Sequence, residues 1–436
     1  MKERFFQPVD NASLIIFRIF FGFLMACESF GAIITGWVKN VLINPKFTFS
    51  FIGLEWLQPL PGNGMYYYFA LMGTFGLLIM LGFRYRIAII SFTILWAGVY
   101  FMQKSAYNNH YYLVLLISFL MVFLPANKDL SLDTKFGKVK PENQMPYWII
   151  FLFICQVTFV YIYATIAKFY PDWLDGTFTK NLLQGTTTRP FFLELFSQKW
   201  FYMFIAYAGI AFDLLIVPFL LFKRTRTLAL IASLGFHLFN SITLQIGIFP
   251  FFALTFALFF YPPNTSRKLF YSKRLKQDFI VLPYSNSNKS LFYFLIIPYL
   301  VIQFALPLRH HFIEGDVLQT EEGHRMSWRM MLREKSGFIV FKVKDNTTNE
   351  TWTHNYFDDT TRKQASNLAT KPDFIWQYCQ RIKKQNEGKD ISIFVDCSIS
   401  INRKEYKPLI DPKFDMARAE WSHFKHNDWI LLQDKK

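Results

Sequence analysis

The sequence has 436 residues, of which 52% are hydrophobic and 19% aromatic, and it carries a formal net charge of +16. This much apolar material excludes a single ordinary soluble domain, and charged residues are sparse before about residue 310 and dense after it. The positive charge alone would allow a nucleic-acid partner, but its distribution between apolar stretches fits a membrane topology better. We therefore expect the lipid bilayer as a partner and no nucleic acid.

Nine apolar stretches predict a polytopic α-helical membrane protein, because each is close to the roughly 17–25 residues that a transmembrane helix needs. They lie at residues 13–37, 65–83, 86–102, 110–125, 147–168, 200–222, 227–243, 246–261 and 291–307. The first is too long for a signal peptide, and no small-x-small cleavage site follows it. The prediction is about nine transmembrane helices in a domain over residues 1–307.

The basic residues between these stretches predict the orientation. With the N-terminus in the cytoplasm, the inner loops hold 17 Lys and Arg residues and the outer loops hold six. The richest inner loop is 262–290. Because positive residues favour the cytoplasmic side, residues 308–436 are expected outside the membrane.

Residues 308–436 have the character of a soluble α+β or mainly β domain. Apolar and polar residues alternate over 338–345 and 391–401, as they do in strands. Residues 362–387 predict one or two helices, interrupted at Pro372. The outer connection 169–199 contains apolar clusters and is expected to pack over the outer mouth of the helices.

The four cysteines give no zinc or haem spacing, and we expect no metal. Cys27 and Cys155 lie in apolar stretches and fit a packing role. Cys379 and Cys397 fall in the predicted outer domain, where oxidation is permitted. Whether these two form a disulfide stays open.

Lys168 ends the fifth apolar stretch and raises a question about its role. Thr158, Tyr161, Thr165 and Lys168 are three, four and three residues apart, which places them on one helical face. One interpretation is a lysine that snorkels to the membrane interface. The other is a partly desolvated amine that acts as a general base.

Two further polar sets occur near predicted membrane helices, one in the seventh stretch and one before the fourth. They are Ser233, His237, Asn240 and Ser241, and Asn108, Asn109 and His110. Each set taken alone fits a structural hydrogen-bond cluster or a polar cap. In the predicted topology both sets and Lys168 map to the outer half of the membrane, so together they predict one cavity that opens toward the outer domain.

The same polar segments carry a family resemblance. The matching segments are ASLIIFRIFFGFLMA (12–26), MLGFRYRI (80–87), KSAYNNHYYL (104–113), AKFYPDWLDG (167–176), FHLFNSITLQIGIF (236–249), MSWRMM (326–331) and SISINRKEYKPLIDPKFDMARAEW (398–421). In these segments, which span nearly the whole chain in order, the sequence resembles the vitamin K-dependent γ-glutamyl carboxylases. The membrane part of that family is also called the horizontally transferred transmembrane (HTTM) domain.

The resemblance implies an enzyme that couples oxygenation of a naphthohydroquinone to its epoxide with carboxylation of a peptide glutamate. In the family, an amine at the position of Lys168 deprotonates the quinol, and the anion reacts with dioxygen to give a strongly basic alkoxide. The alkoxide removes a γ-proton from glutamate, and carbon dioxide adds to the carbanion. The co-substrate would be reduced vitamin K or menaquinol, with O2 and CO2. His110 matches a catalytic position on the glutamate side, and the positions near the quinone are matched by Asn108, Asn109, His237, Asn240 and Phe249.

The glutamate carboxylate needs a cationic partner, and arginine is the side chain best suited to that task. Arg325, Arg329 and Arg333 surround Trp328 in the MSWRMM region. We expect Trp328, Arg325 and Arg333 to bind substrate, although interfacial or structural roles stay open. Only Trp328 lies in a segment with clear family similarity.

The sequence also departs from the animal members of the family. They carry two consecutive lysines where this chain has Ala167 and Lys168, and the loop at residues 38–64 lacks the cysteine of their disulfide. The composition is typical of a bacterial protein, so we expect an inner-membrane protein with a periplasmic C-terminal domain.

Two other functions remain open. One is a quinol epoxidase or monooxygenase without carboxylation, and the other is a non-enzymatic scaffold that binds a quinone or lipid. A transporter is less favoured, because no pair of Gly- or Pro-broken helices stands at mid-membrane. The leading interpretation takes a glutamate-containing peptide or protein as substrate on the outer side.

Overall fold

The structure is a computed structural model and describes residues 2–244, 247–270 and 287–433. Its first two thirds are helical. The helices there are α1 (Lys2–Phe5), α2 (Ala12–Ile34), α3 (Gly64–Leu81), α4 (Tyr85–Met102), α5 (Asn109–Phe123), α6 (Leu132–Lys135), α7 (Trp148–Ala167), α8 (Pro171–Leu174), α9 (Thr177–Gln184), α10 (Pro190–Ser197), α11 (Lys199–Leu221), α12 (Arg226–Leu244), α13 (Phe249–Thr255), α14 (Pro263–Phe270), α15 (Ser287–Leu291) and α16 (Ile297–Ala305).

Within the described residues, six helical segments are long and apolar enough to cross a membrane. They are α2, α3, α4, α7, α11 and the segment Lys289–Phe312, which includes α16. The helix α5 and the segment Phe249–Phe259 are apolar but shorter. All nine predicted stretches contain helix, so the polytopic helical membrane fold is confirmed in outline, while the number of nine crossings stays a prediction.

The helices α2 and α3 pack most closely, because glycines face one another across their interface. A Cβ atom on Gly22 would lie 2.3 Å from the backbone nitrogen of Met80, and one on Gly76 would lie 2.7 Å from that of Ala26. Lipid tails are as apolar as the side chains, so helices in a membrane depend on such close van der Waals contact. This pair forms one side of the bundle.

The end of the bundle that was predicted to be cytoplasmic is tied by buried charges. The carboxylate of Asp133 accepts hydrogen bonds from the backbone N–H groups of Arg84 (2.7 Å) and Tyr85 (3.0 Å). Arg267 pairs with Asp10 at 2.7 Å and with Asp129 at 3.2 Å. Most of the basic loop predicted on this side, residues 271–286, lies outside the described residues.

Residues 308–433, which the sequence predicted to lie outside the membrane and which are called the outer domain below, form an antiparallel sheet covered by helices, as the alternating pattern predicted. Its strands are β3 (Lys335–Asp345), β4 (Thr351–His354), β5 (Ile391–Ile401) and β6 (Lys407–Pro408), and its helices are α17 (Val317–Thr320), α18 (Arg362–Leu368) and α19 (Pro372–Gln385). The order is β4-β3-β5-β6, and a short ribbon elsewhere pairs β1 (Pro8–Asp10) with β2 (Gln144–Pro146). The two predicted strands and the helix break before Pro372 are confirmed. Cys379 and Cys397 are buried free thiols in this domain.

Buried charges fasten the outer domain to the bundle. Asp373, at the start of α19, lies 2.7 Å from Lys104 and 2.7 Å from Arg325. Burial alone would raise the pKa of Asp373, but the charges of Arg325 and Lys104 hold it below its usual range. Burial lowers the pKa of Lys104 to about 8 in spite of Asp373. Removing one partner from such a group leaves a buried charge uncompensated, so these contacts fix the position of the outer domain.

Candidate functional site

A cavity of about 220 Å³ lies in the bundle at the ends of α7 and α11 that are nearest to the outer domain. Its wall is mostly apolar and aromatic, and it includes side chains from α5, α7, α9, α11, α12 and α13. The polar residues that line it are His110, Tyr161, Lys168, Thr179, Asp213, His237 and Asn240. The three sequence segments that predicted a shared cavity therefore meet in one place.

Lys168 reaches the cavity because the chain breaks at that residue. The helix α7 ends at Ala167, and Lys168 is its C-cap. Tyr170 is extended ahead of Pro171, which starts α8, as expected for a residue before proline. Lys168 as a whole residue is 8% exposed, and its side chain lines the cavity. This burial differs from the snorkelling position that the sequence left open.

Asp213 is the partner of Lys168, and the sequence analysis missed it. The Lys168 Nζ forms an ion pair with Asp213 of α11, which is only 6% exposed. The Nζ also lies 5.3 Å from the ring centroid of Trp173. Asp213 is the one carboxylate within the predicted stretch 200–222, and an ionisable residue inside a membrane span is a candidate site residue by default. That signal could have found it.

Two histidines and a phenylalanine form another part of the wall. The rings of His110 and Phe249 are stacked with centroids 3.6 Å apart. The His237 Nε2 lies 3.3 Å from the hydroxyl of Tyr161. Its Nδ1 is buried and has no hydrogen-bond partner among the residues that the structure describes. A buried polar atom without a partner beside a cavity is suited to a ligand that supplies the missing hydrogen bond.

Tyr161 and Lys168 of the predicted polar stripe line the cavity, but Thr158 and Thr165 do not. The hydroxyl of Thr158 donates to the carbonyl of Ile154 at 2.7 Å, and that of Thr165 donates to the carbonyl of Tyr161 at 2.8 Å. Both bonds stay within α7. Helical spacing thus placed these residues on one face but could not show which of them would line a cavity.

Asn108 and Asn109 hold the start of α5 and are not among the cavity-lining residues. The Asn108 side chain accepts a hydrogen bond from the backbone N–H of Tyr111 at 2.7 Å, which makes it the N-cap. The Asn109 amide donates to the carbonyl of Arg329 at 3.0 Å. Both residues therefore orient His110, and Asn109 also ties it to the outer domain.

A second, polar cavity of about 210 Å³ adjoins the first, and Met331 lines both. Its other lining residues are Glu321, His324, Arg329, Leu332, Arg333, Lys335 and Lys371. Four of these side chains carry lysine or arginine charges and one carries a carboxylate. The polar cavity therefore has an excess of positive charge.

Ion pairing inside the polar cavity is uneven. Glu321 pairs with Arg333 and, at 3.0 Å, with Lys335. Burial would raise the pKa of Glu321, but Arg333 and Lys335 hold it well below its usual range. Burial lowers the pKa of Arg329 to about 10 and that of Lys371 to about 8. The charges on Arg329 and Lys371 are thus the less well compensated ones.

The segment between the two cavities has a strained backbone. Glu321, Met326, Trp328 and Met331 all adopt positive φ, at 63°, 61°, 55° and 49°. Side-chain-bearing residues seldom do so, and such conformations cluster at ligand sites. The strained turn places Met330 and Met331 in the wall of the first cavity.

Trp328 and Arg325, both predicted to bind substrate, lie in the same segment but line neither cavity. Trp328 is 1% exposed, and its ring packs 5.0 Å from that of Tyr112. Arg325 pairs with Asp373, so a substrate carboxylate would have to compete with Asp373 for it. Arg333, the third predicted residue, does line the polar cavity.

Comparison with known families covers almost the whole chain. The HTTM domain model matches residues 6–264. The model of the lumenal domain of vitamin K-dependent gamma-carboxylase matches residues 288–436. No solved structure matches the chain. Both parts of the chain thus match the domains that the resemblance implied, and the chain belongs to the vitamin K-dependent gamma-glutamyl carboxylase family.

Proposed function

We propose that this protein is a membrane carboxylase that couples the oxygenation of a naphthohydroquinone with the carboxylation of a peptide glutamate. The observation that carries the proposal is the pair of adjoining cavities, one apolar with a buried amine and one cationic, which share Met331. The first suits a quinol ring, and the second suits a carboxylate. A reaction that joins these two substrates needs both sites side by side.

The apolar cavity fits the ring of a quinol such as reduced vitamin K or menaquinol. Its volume is below the roughly 300–1,000 Å³ of pockets that enclose drug-sized ligands, so the ring would lie inside and the isoprenoid tail outside. The unpartnered Nδ1 of His237 and the amide of Asn240 are available to the quinol oxygens. The stacked pair of His110 and Phe249 offers a flat wall for the ring.

Lys168 has the role of general base in this proposal. A positioned amine that takes the proton of a quinol hydroxyl contributes about 10²–10⁴-fold to a rate. The aromatic wall keeps water away from the amine, which protects a strongly basic reaction from quenching. Bound quinol supplies the reducing chemistry, and the protein supplies the base and the dry site.

The polar cavity is the proposed position of the substrate glutamate. Arg329 and Lys371 are the cations that its single carboxylate leaves least compensated, and Arg333 stands beside them. Arginine and lysine bind carboxylates through charge-assisted hydrogen bonds. Arg329 and Lys371 thereby extend the set of substrate-binding residues that the sequence predicted.

In the proposed topology, the N-terminus is cytoplasmic and the outer domain faces the periplasm of a bacterium. A lipid-soluble quinol would reach the apolar cavity from the membrane, and the peptide would reach the polar cavity from the aqueous side. The basic residues of the predicted inner loops support this orientation.

The test is incorporation of labelled bicarbonate by the purified, detergent-solubilised protein. The reaction mixture contains reduced vitamin K, oxygen and a Glu-containing peptide. A peptide in which Gln replaces the Glu is the control. We expect label in the Glu peptide alone, together with quinone epoxide. Epoxide without label would favour the quinol monooxygenase alternative, and quinone binding without either product would contradict an enzyme and favour the scaffold.

A further inference from the structure

We propose that Asp213 is a positioning residue that makes Lys168 an effective base, an inference that rests on the proposed function of the same cavity. The ion pair joins the C-cap of α7 to the middle of α11, and both side chains line the cavity. Nothing in the polar pattern of α7 alone requires a carboxylate there. The contact with Lys168 points to an effect of the carboxylate on the amine.

The surroundings make Asp213 the dominant charged neighbour of Lys168. The other titratable groups that line the cavity are Tyr161 of α7, His110 of α5 and His237 of α12. Asp172 of α8 is engaged elsewhere, because it accepts hydrogen bonds from Asn402 (2.7 Å) and Lys404 (2.5 Å). Within the described cavity wall, only Asp213 brings a carboxylate to the amine.

The carboxylate would act in two ways during the proton transfer. At a pH above the acid limb of the rate profile, where the ion pair has lost its extra proton, the carboxylate accepts one N–H of the neutral amine and turns the nitrogen lone pair toward the cavity. When the quinol O–H bond breaks, the proton forms a new N–H bond on Lys168, and the electron pair stays on the quinol oxygen. The ammonium thus forms directly against a negative charge, and a buried ammonium without one would be costly.

Substitutions at Asp213 can separate charge from geometry. Asp213→Asn keeps a hydrogen-bond acceptor of nearly the same shape but removes the charge. Asp213→Glu keeps the charge on a longer side chain. Glu194→Gln is the matched control, because Glu194 is an exposed carboxylate of α10 that lies outside the cavity wall.

The first measurement is the pH–rate profile of quinone epoxide formation by the wild type and these variants. Without the negative charge, the buried ammonium form of Lys168 is less well stabilised, and the amine is a weaker base. The acid limb of the Asp213→Asn profile should therefore move to lower pH by roughly one to three pH units, since each unit corresponds to about 1.36 kcal/mol of interaction. The plateau rate should fall about tenfold or more, because catalysis follows base strength. Asp213→Glu should recover much of the wild-type plateau rate and of the wild-type position of the acid limb. Glu194→Gln should match the wild type in both quantities.

The second measurement does not depend on activity. A small lipid-soluble acylating reagent would label Lys168 at a series of pH values, followed by peptide mass spectrometry. The midpoint of labelling should lie at lower pH in Asp213→Asn than in the wild type. An unchanged midpoint, or a rate that falls uniformly with no shift of the acid limb, would overturn the inference and leave Asp213 a structural role. A shifted midpoint in a protein that forms no epoxide would instead refute the proposed function alone.

Discussion

Lys168 and Lys371 are lysines of two adjoining cavities, but their surroundings differ. Lys168 has a carboxylate against its amine and belongs to the apolar cavity. Lys371 belongs to the polar cavity, where burial lowers its pKa to about 8. Its charge therefore changes within the range of ordinary assays, whereas the neighbouring arginines stay charged. This difference gives the polar cavity a measurable pH dependence.

We expect the KM for a Glu peptide to rise as pH increases from about 7 to 9. Lys371 is protonated below its pKa of about 8 and neutral above it, so the polar cavity loses one positive charge over this range. Lys371→Gln should have a higher KM at pH 7 and a flatter dependence on pH. The exposed Lys413→Gln is the control and should follow the wild type. An identical pH dependence in Lys371→Gln would show that this amine does not meet the substrate.

At the scale of the elements, the glycines between α2 and α3 allow these two helices to pack closely. Gly22→Ala puts a Cβ where the backbone nitrogen of Met80 would lie 2.3 Å away, so the helices must separate. Overpacking of this kind costs about 1–3 kcal/mol. Gly31, on the same helix, has no atom within 4 Å of the added Cβ. There alanine improves helix propensity by about 1 kcal/mol.

The measurement is the midpoint of thermal unfolding of both variants in one detergent. Gly22→Ala should unfold at a lower temperature than the wild type, and Gly31→Ala should unfold at the same or a higher temperature. Equal midpoints for the two variants would mean that the close contact of α2 with α3 does not limit stability.

The sequence predicts these elements well where a pattern repeats. Alternation over 338–345 and 391–401 anticipates the two central strands β3 and β5, and apolar stretches anticipate the long helices. Apolar stretches predict membrane crossings less well than they predict helices. The helix α5, for example, is apolar but shorter than the six segments that are long enough to cross a membrane. Length alone could not establish whether such a helix spans the bilayer.

At the scale of the whole molecule, the two cavities adjoin because the outer domain sits on the bundle. Met330 and Met331 of the outer part line the apolar cavity, and Asp373 locks that part onto Lys104. A second tie joins Asp172 of the bundle to Asn402 and Lys404. The apolar cavity is therefore shared between the two halves of the chain, whereas the polar cavity is lined by residues of the outer domain alone.

The structure brings some of the predicted site residues into the apolar cavity and leaves others outside it. His110, Lys168, His237, Asn240 and Phe249 come together because helical faces and topology, which the sequence does encode, converge. Arg325 was predicted from its residue type alone, and its pairing with Asp373 depends on contacts 48 residues apart. Asp213 was recognisable as the one carboxylate of the stretch 200–222, but its pairing with Lys168 was not, because Lys168 lies on another helix. Long-range charge pairing is the part that composition and spacing do not specify.

The most direct measurement is quinone epoxide formation from reduced vitamin K and oxygen by Lys168→Ala beside the wild type. Lys180→Ala is the matched control, because Lys180 lies on α9 near the tyrosine ring of Tyr202 and not in the cavity wall. Loss of the general base should lower the rate by about 10²–10⁴-fold, with quinol binding retained. Lys180→Ala should keep the wild-type rate. A Lys168→Ala rate close to that of the wild type would contradict the central claim that the buried amine is the base.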